Sequence, residues 1–348
     1  MSVLTHQMVP PSQAKADAIR CIMAGIVPFI QSSPGLGKSS IAREIAKEGN
    51  LELIDFRLSQ CAPEDLQGIP FKEEINGTMK ARFLPFTTFP LKGDPIPKGK
   101  NGWLLFLDEF NSASKSVQAA GYKLILDRMV GDFHLHEKVA VIAAGNLSTD
   151  RAIVNPMSTA MQSRLAHILM TVSKPEFIEW CNKNDIDYRV IGFIEFQPDK
   201  LHYFQPDHHD LTFACPRTWE FTSKLVKGVT EIKPLIPLLS GVISPGIAME
   251  FAAFCEEYTK IPKIESIIND PEYARVPVEI STRFAVITML MANSDENNIK
   301  PLVKYMLRFS PEEQIIFFRG IINRNPKLRD IPEVEQAIIK VISFVDED

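Results

Sequence analysis

The stretch Ser33-Pro34-Gly35-Leu36-Gly37-Lys38-Ser39 decides how this chain folds. It follows a short apolar run, Val27 to Gln31, and it precedes a helical pattern that begins with Ile41-Ala42 and continues with Ile45-Ala46. Backbone N–H groups of such a turn point inward, and the start of the following helix carries partial positive charge. The stretch therefore predicts a strand, a phosphate-binding loop and a helix.

Two side chains of this loop have separate expected roles. Lys38 would reach the β- and γ-phosphates of a nucleotide, and Ser39 would ligate Mg²⁺. The pattern departs from G-x-x-x-x-G-K-[ST] at Ser32, which stands where the first glycine is expected and puts the first bend of the loop in question. The predicted nucleotide contacts are Ser33, Pro34, Gly35, Leu36, Gly37, Lys38, Ser39 and Ser40.

Length and composition bound the class of protein. A chain of 348 residues suits two or three domains. A formal net charge of -5 argues against nonspecific electrostatic binding to nucleic acid or to an anionic membrane. It does not exclude a local basic patch. Five scattered cysteines predict reduced thiols. With no signal-peptide pattern and no apolar run near ~20 residues, we expect a cytoplasmic protein without membrane contact.

The order of apolar runs and turn signals predicts the fold class. Apolar runs predict strands at 51–58, 103–107, 139–144 and 166–172, and helical patterns occupy 12–24, 38–50 and 114–128 between them. Asn76-Gly77 indicates a hairpin between 71–75 and 78–83. This alternation predicts an α/β fold, a parallel sheet with helices on both faces. Beyond Lys174 the pattern is mostly helical, and the polar run Asp207-His208-His209-Asp210 fits no firm metal-ligand spacing.

Two further strands end in polar residues that suit nucleotide hydrolysis. The apolar run from Trp103 to Leu107 ends in Asp108-Glu109, so that Asp108 can hold Mg²⁺ through water and Glu109 can polarise an attacking water. The run from Val139 ends at Asn146, which could orient that water. Taken alone, each pattern is common, because buried strands often end in acids and turns often contain asparagine. Together with the phosphate loop they predict one catalytic edge of the sheet.

Three motifs in this order resemble those of the AAA+ ATPases, and most closely the MoxR branch. They are Gly35-x-Gly37-Lys38-Ser39, Leu104-Leu105-Phe106-Leu107-Asp108-Glu109-Phe110-Asn111 and Ala143-Ala144-Gly145-Asn146. Similar support comes from the segments 63–68 and 117–133, and the motifs cover about 40–220. The resemblance implies an AAA+ P-loop core at 1–172, a helical lid at 173–228 and a mostly helical extension at 229–348. It also implies ATP and Mg²⁺ as cofactors, with ATP in the cleft between core and lid.

The same resemblance assigns roles to arginines. Arg164 stands where the family carries the arginine finger that reaches the ATP of a neighbouring subunit, and the alternative is a surface arginine that caps a helix end. Arg217, after Cys215-Pro216, matches the second sensor, which touches the γ-phosphate from the lid. Arg151 is a weaker candidate for a subunit boundary. A finger acting on a neighbour implies a ring of identical subunits, a hexamer.

The function implied is Mg²⁺-dependent ATP hydrolysis by a ring that remodels protein assemblies, as MoxR relatives are thought to do. Glu109, Asn146, Arg164 and Arg217 would be catalytic, and Ser39 and Asp108 would hold the metal. The client is unknown, and relatives often work with a partner that bears a von Willebrand A domain. Two alternatives stay open. One is a nucleic-acid motor, which the net charge disfavours, and the other is a nucleotide-gated scaffold that hydrolyses ATP slowly.

Overall fold

The computed structural model describes residues 7–150, 155–205, 207, 210–257 and 261–345. The chain divides into two compact units. The first comprises Met1–Val172 with Gln205–Asp207, and the second comprises Ser173–Phe204 with His208–Asp348. The boundary at residue 228 between a lid and an extension stays a prediction.

The first unit contains all the strands described. The strands are β1 (Val27–Ser32), β2 (Glu52–Arg57), β3 (Ile69–Ile75), β4 (Thr78–Leu84), β5 (Trp103–Asp108), β6 (Met129–Val130), β7 (Phe133–His134), β8 (Val139–Asn146) and β9 (Leu165–Leu169). Its helices are α1 (Pro11–Met23), α2 (Lys38–Glu48), α3 (Pro63–Gln67), α4 (Lys115–Leu126) and α5 (Thr159–Gln162).

Five parallel strands form the central sheet in the order β2-β5-β8-β1-β9. The predicted α/β fold class is confirmed, and so is the hairpin at Asn76-Gly77, where β3 and β4 pair antiparallel. The last strand is shorter than the predicted 166–172 because its partner β1 turns away into the loop after Ser32. The final β1–β9 pair is Gln31 with Leu169, and the Gln31 carbonyl then accepts from the Met170 N–H at 2.8 Å.

The three inner strands of the sheet, β5, β8 and β1, bury side chains on both faces, as their continuous apolar sequences predict. In β5, Leu105 and Leu107 pack with α4, whereas Leu104 and Phe106 pack with α1 and α2. All six residues of β5 are buried. The alternation gives the unit one core on each side of the sheet, and it fixes which face each side chain meets.

The second unit is helical in the residues described. Its helices are α6 (Lys174–Lys183), α7 (Tyr188–Phe196), α8 (Pro216–Val226), α9 (Ile236–Ile243), α10 (Pro245–Glu257), α11 (Ile264–Asn269), α12 (Ile280–Asn293), α13 (Ile299–Met306), α14 (Pro311–Arg324) and α15 (Pro332–Val345). Phe193 is fully buried against Trp219, Phe251 and Phe254. Among the residues described, we find no helix with the length and apolarity needed to cross a membrane.

Candidate nucleotide site

Three neighbouring strands bring the polar residues of the sequence motifs to one edge of the sheet. The strands β5, β8 and β1 are adjacent and parallel, and they end at Asp108, Asn146 and Ser32 respectively. Ser32 and Asn146 are register partners across β1 and β8. Ligands of open parallel sheets bind outside the carboxyl ends of the strands. The first unit therefore presents its candidate site at this edge.

The loop after β1 makes its sharp bends at glycines. Gly35 and Gly37 have φ values of 80° and 92°, in the left-handed region that favours glycine. Ser32 ends β1 in extended conformation, so the missing first glycine of the motif falls where no left-handed bend is made. Leu36 packs into the core beside α1 and α2, and it offers only its backbone to a ligand. Pro34 is half-buried and Ser40 is exposed.

The ammonium group of Lys38 lies over the loop among oxygen atoms. Its Nζ donates to the carbonyl of Ser32 at 3.0 Å, to Ser32 Oγ at 3.1 Å, to the carbonyl of Ser33 at 3.4 Å and to Asn146 Oδ1 at 3.2 Å. The Ser32 hydroxyl is fully buried and donates to the Ser33 carbonyl. The serine that replaces the expected glycine thus helps to hold the lysine, at the first residue of α2.

Ser39 and Asp108 form the oxygen pair that a metal site needs. The Ser39 hydroxyl donates to Asp108 Oδ2 at 3.0 Å, and it joins the start of α2 to the end of β5. Mg²⁺ prefers oxygen ligands and retains several waters, so one hydroxyl and one carboxylate are a suitable protein contribution. These two residues fit the ion that the sequence predicts.

Glu109 follows Asp108 in an unusual backbone conformation. Its φ is 55° and its ψ is 34°, values that non-glycine residues seldom adopt and that often occur at functional sites. The Glu109 N–H donates to Asp108 Oδ1 at 2.8 Å. The Glu109 carboxylate accepts a hydrogen bond from the Ser59 hydroxyl, which lies just beyond β2. The turn therefore directs the carboxylate to the side of the site next to β2.

Asn111 fixes the end of β8 with two hydrogen bonds. Its Nδ2 donates to the Asn146 carbonyl at 2.7 Å, and its Oδ1 accepts from the Asn146 N–H at 3.1 Å. Asn111 is 3% exposed. It can approach the strand because Gly145 has no side chain, since a Cβ there would lie 2.2 Å from Asn111 Oδ1 and 2.8 Å from Phe29 Cζ. Asn146 is thereby held beside Lys38.

A second layer of amides supports Asn111. The Asn155 N–H donates to the Asn111 carbonyl at 2.7 Å, and the Asn155 side chain donates to the Ala113 carbonyl at 2.8 Å. Buried Gln118 on α4 donates to the carbonyls of both Ala113 and Asn155. Sequence reasoning missed these residues and Ser59 as supports of the site. The only sequence signal for these supports was Gln118, a polar residue at a position of α4 where the helical spacing predicts an apolar one.

A further carboxyl group that sequence reasoning missed lies on β2. Burial raises the pKa of Asp55, and the charge of Asp108 raises it further, with Arg57 and Arg43 acting in the opposite direction. Asp55 interrupts the apolar run of β2 at a position next to β5. Asp55 thus adds a second carboxyl group near Asp108, and a cation nearby would offset the repulsion between the two.

Two predicted catalytic arginines are exposed. The Arg164 guanidinium, between α5 and β9, donates to the Ala160 carbonyl at 3.0 Å and so caps the end of α5. This hydrogen bond between Arg164 and Ala160 forms within the chain and does not require a bound nucleotide. Arg217 is the second residue of α8, in the second unit. Arg151, His208 and His209 lie outside the described residues. Among the residues described, no cluster of histidine, cysteine and acidic side chains suits a metal ion.

Comparison with known proteins gives one family match. Residues 29–170, less than half of the chain, match the family described as "ATPase family associated with various cellular activities (AAA)". This segment contains the phosphate loop, Asp108, Glu109, Asn146 and Arg164. No curated protein matches the chain.

Comparison with solved structures gives matches that include the following three, which are 12–14% identical to this chain. NtrX from Brucella abortus gives a TM-score of 0.40 over 98% of this chain and 69% of NtrX. A RuvB mutant from Thermotoga maritima gives 0.34 over 87% and 80%. A DNA polymerase III γ-subunit-related protein from Thermotoga maritima gives 0.38 over 95% and 98%.

Proposed function

We propose that this chain binds ATP with Mg²⁺ and hydrolyses it at the carboxyl edge of the central sheet. One observation carries the proposal. Lys38 Nζ lies 3.2 Å from Asn146 Oδ1, although the two residues are 108 positions apart in the sequence. Ser39 Oγ lies 3.0 Å from Asp108 Oδ2, although these two residues are 69 positions apart. The match of residues 29–170 to the AAA family supports the same function.

Each residue then has a role that its position supports. Lys38 exchanges its loop oxygens for phosphate oxygens, and the loop N–H groups bind the same phosphates. Ser39 and Asp108 hold Mg²⁺, which supplies positive charge to the phosphate oxygens when bound. Glu109 accepts the proton of the attacking water, and Asn146 holds that water through its side-chain amide. Ser59 and Asn111 keep these two residues in position.

The test replaces Glu109 by glutamine. A Glu109→Gln variant keeps the size of the side chain and removes the base, so ATP binding should stay within about threefold of wild type while turnover falls roughly 10²- to 10⁴-fold. Binding is measured with a fluorescent ATP analogue and turnover by phosphate release. Glu137→Gln, at an exposed position before β8, is the matched control and should leave both unchanged. Equal turnover by wild type and Glu109→Gln would refute the assignment.

The finer proposal concerns assembly. We infer a cytoplasmic ring, a hexamer of the MoxR type, in which Arg164 reaches the site of the neighbouring subunit and Arg217 senses nucleotide within a lid at 173–228. The exposure of both arginines supports this. Arg164→Ala should lose turnover, and mixing it with Lys38→Ala should restore part, because each mixed ring regains some complete sites. If no mixture ratio restores turnover, Arg164 does not act on a neighbour.

The proposed client is a protein assembly, with a von Willebrand A domain protein as the candidate partner and 229–348 as the extension that meets it.

The two alternative functions predict different responses of ATP turnover. The first alternative is a nucleic-acid motor. DNA would then stimulate turnover, and the stimulation would fall steeply with salt because counterions are released on binding. A slow scaffold would instead show weak basal turnover together with nucleotide-dependent assembly.

A further inference from the structure

Arg164 is exposed, and the direction of its side chain depends on the short helix before it. α5 has four residues, about one turn, and a helix of that length is unstable unless packing holds it. Met161 of α5 is fully buried in a core of the first unit, so one side of the turn is anchored there. The Arg164 guanidinium donates to the Ala160 carbonyl on α5 at 3.0 Å. The contacts that hold α5 therefore also direct Arg164.

Tyr122 on α4 holds the start of α5. Its ring packs against the core, and its hydroxyl lies 2.7 Å from Ser158 Oγ, where either atom can donate. The same hydroxyl accepts from the Ser158 N–H at 3.3 Å. Ser158 is the N-cap of α5, because its Oγ accepts from the Met161 N–H at 3.3 Å. One tyrosine hydroxyl thus contacts both the side chain and the backbone of the residue that opens α5.

A second attachment to α4 lies one helical turn away and serves the nucleotide site. Gln118 lies four residues before Tyr122, on the same face of α4, and its Nε2 donates to the Asn155 carbonyl at 3.2 Å. The Asn155 N–H donates to the carbonyl of Asn111, the residue that fixes the end of β8. The segment 155–158 is therefore held at both of its ends. Only the Asn155 end is hydrogen-bonded to the amide network behind β8, so the two attachments can be altered separately.

We propose, resting on the function proposed above, that Tyr122 is a positioning residue for Arg164 and acts on the site of the neighbouring subunit. Its hydroxyl fixes Ser158, Ser158 caps α5, and α5 directs the guanidinium. Loss of the hydroxyl leaves Arg164 in the chain but lets α5 change direction. The nucleotide site of the altered subunit keeps its own residues in place, because Asn146 is held through Asn111 and not through Tyr122.

The first test is the kinetics of Tyr122→Phe, which keeps the ring and removes the hydroxyl. The kcat for ATP should fall roughly tenfold, because a misplaced arginine still supplies part of the 10³- to 10⁵-fold effect of a well-placed one. The KM should stay within about twofold, since the lost interaction acts in the transition state. Tyr273→Phe is the matched control, because Tyr273 is 82% exposed in the second unit, and it should leave kcat unchanged.

Substitutions at Ser158 test the same contact from its other side. Ser158→Thr keeps a hydroxyl that can cap α5 and meet Tyr122, so kcat should stay within about threefold of wild type. Ser158→Ala removes that hydroxyl and should lower kcat at least as much as Tyr122→Phe does. Adding Tyr122→Phe to Ser158→Ala should lower kcat less than about twofold further, because both substitutions break one contact.

Mixed assemblies show which site Tyr122 serves. Lys38→Ala removes the nucleotide site of a subunit but leaves its Tyr122 and Arg164 intact. In a large excess of Lys38→Ala, a Tyr122→Phe subunit receives its arginine from an intact neighbour. Its turnover should then equal, within about twofold, that of wild type mixed with the same excess. Glu109→Gln treated in the same way should stay inactive, because its defect lies in its own site.

Three results would overturn the proposal. A kcat of Tyr122→Phe within about twofold of wild type would mean that the hydroxyl does not place Arg164. A defect that persists in the excess of Lys38→Ala would mean that Tyr122 acts on the site of its own subunit. Failure of the same mixing to restore Arg164→Ala would remove the role of Arg164 on a neighbour, and that of Tyr122 with it. The role of Glu109 in ATP hydrolysis is measured separately and would stand in all three cases.

Discussion

Gly145→Ala tests whether the end of β8 is held as the structure indicates. A Cβ at this position would lie 2.2 Å from Asn111 Oδ1, 2.7 Å from Asn111 Cγ and 2.8 Å from Phe29 Cζ. Such distances require both neighbours to shift. Asn111 cannot shift without losing its two hydrogen bonds to the backbone of Asn146, at 2.7 and 3.1 Å.

The expected cost follows from these contacts. The two hydrogen bonds of Asn111 together contribute about 1–3 kcal/mol after the exchange with water is taken into account. Crowding of the Phe29 ring adds about 1 kcal/mol. We therefore expect the local opening free energy of β8 to fall by about 2–4 kcal/mol. At 1.4 kcal/mol for each factor of ten, amide hydrogen exchange in β8 should become roughly 30- to 700-fold faster.

Hydrogen exchange followed by mass spectrometry on peptides covering β8 measures this change directly. The control is Gly241→Ala, because Gly241 lies inside α9 and a Cβ there meets nothing within 4 Å. The control should leave α9 unchanged or slow its exchange, since alanine is favoured over glycine in helices by up to about 1 kcal/mol. Combining Asn111→Ala with Gly145→Ala should cost less than the sum of the two, because both break the same bonds.

An exchange rate in β8 that stays within about threefold of wild type would refute the reasoning. It would mean that Asn111 is not fixed against the strand. Strict additivity in the double variant would refute it as well. The loss of Asn146 alignment should also lower ATP turnover in Gly145→Ala, whereas Gly241→Ala should turn over ATP at the wild-type rate.

Two further predictions concern the second unit. Asp187→Ala should lower its unfolding free energy by about 3–5 kcal/mol in urea, because Asp187 and Arg189 form a pair in which both side chains are at most 7% exposed and the guanidinium would be left buried without its carboxylate. Glu179→Ala, which removes the exposed ion pair with Lys183, should lower the unfolding free energy by less than about 0.5 kcal/mol. Equal losses of unfolding free energy in Asp187→Ala and Glu179→Ala would contradict the argument. Burial raises the pKa of Tyr305 from 10.0 to about 12, so ionisation favours the unfolded chain and stability should fall between pH 10 and 12. Tyr305→Phe should flatten that fall, and an unchanged slope in the urea midpoint would exclude this tyrosine as its cause.

The sequence predicted the elements of the fold well where local chemistry decides them. Asn76-Gly77 predicted the hairpin, because a two-residue turn with left-handed residues is intrinsic to that pair. The continuous apolar run before Asp108 predicted a strand buried on both faces. The error at the end of β9 arose because a strand ends where its partner leaves, and the sequence of β9 does not contain the course of β1.

The candidate site divides in the same way. Lys38, Ser39, Asp108, Glu109 and Asn146 could be selected from the sequence because each ends or follows a strand or lies at the start of a helix. Their supports could not. Ser59 and Asn111 became visible only through their contacts with Glu109 and Asn146. The question raised by Ser32 also needed the tertiary structure, since its answer depends on which residues of the loop adopt positive φ.

By itself, then, the sequence of this chain determined the phosphate loop, the alternation of strands and helices, and the polar residues at the strand ends. These features depend on neighbours in the chain and on the period of apolar side chains. The tertiary structure alone decided the strand order and the amide network behind Asn146. Those features depend on contacts between residues far apart in sequence, and such contacts form only when packing of the core places one element against another.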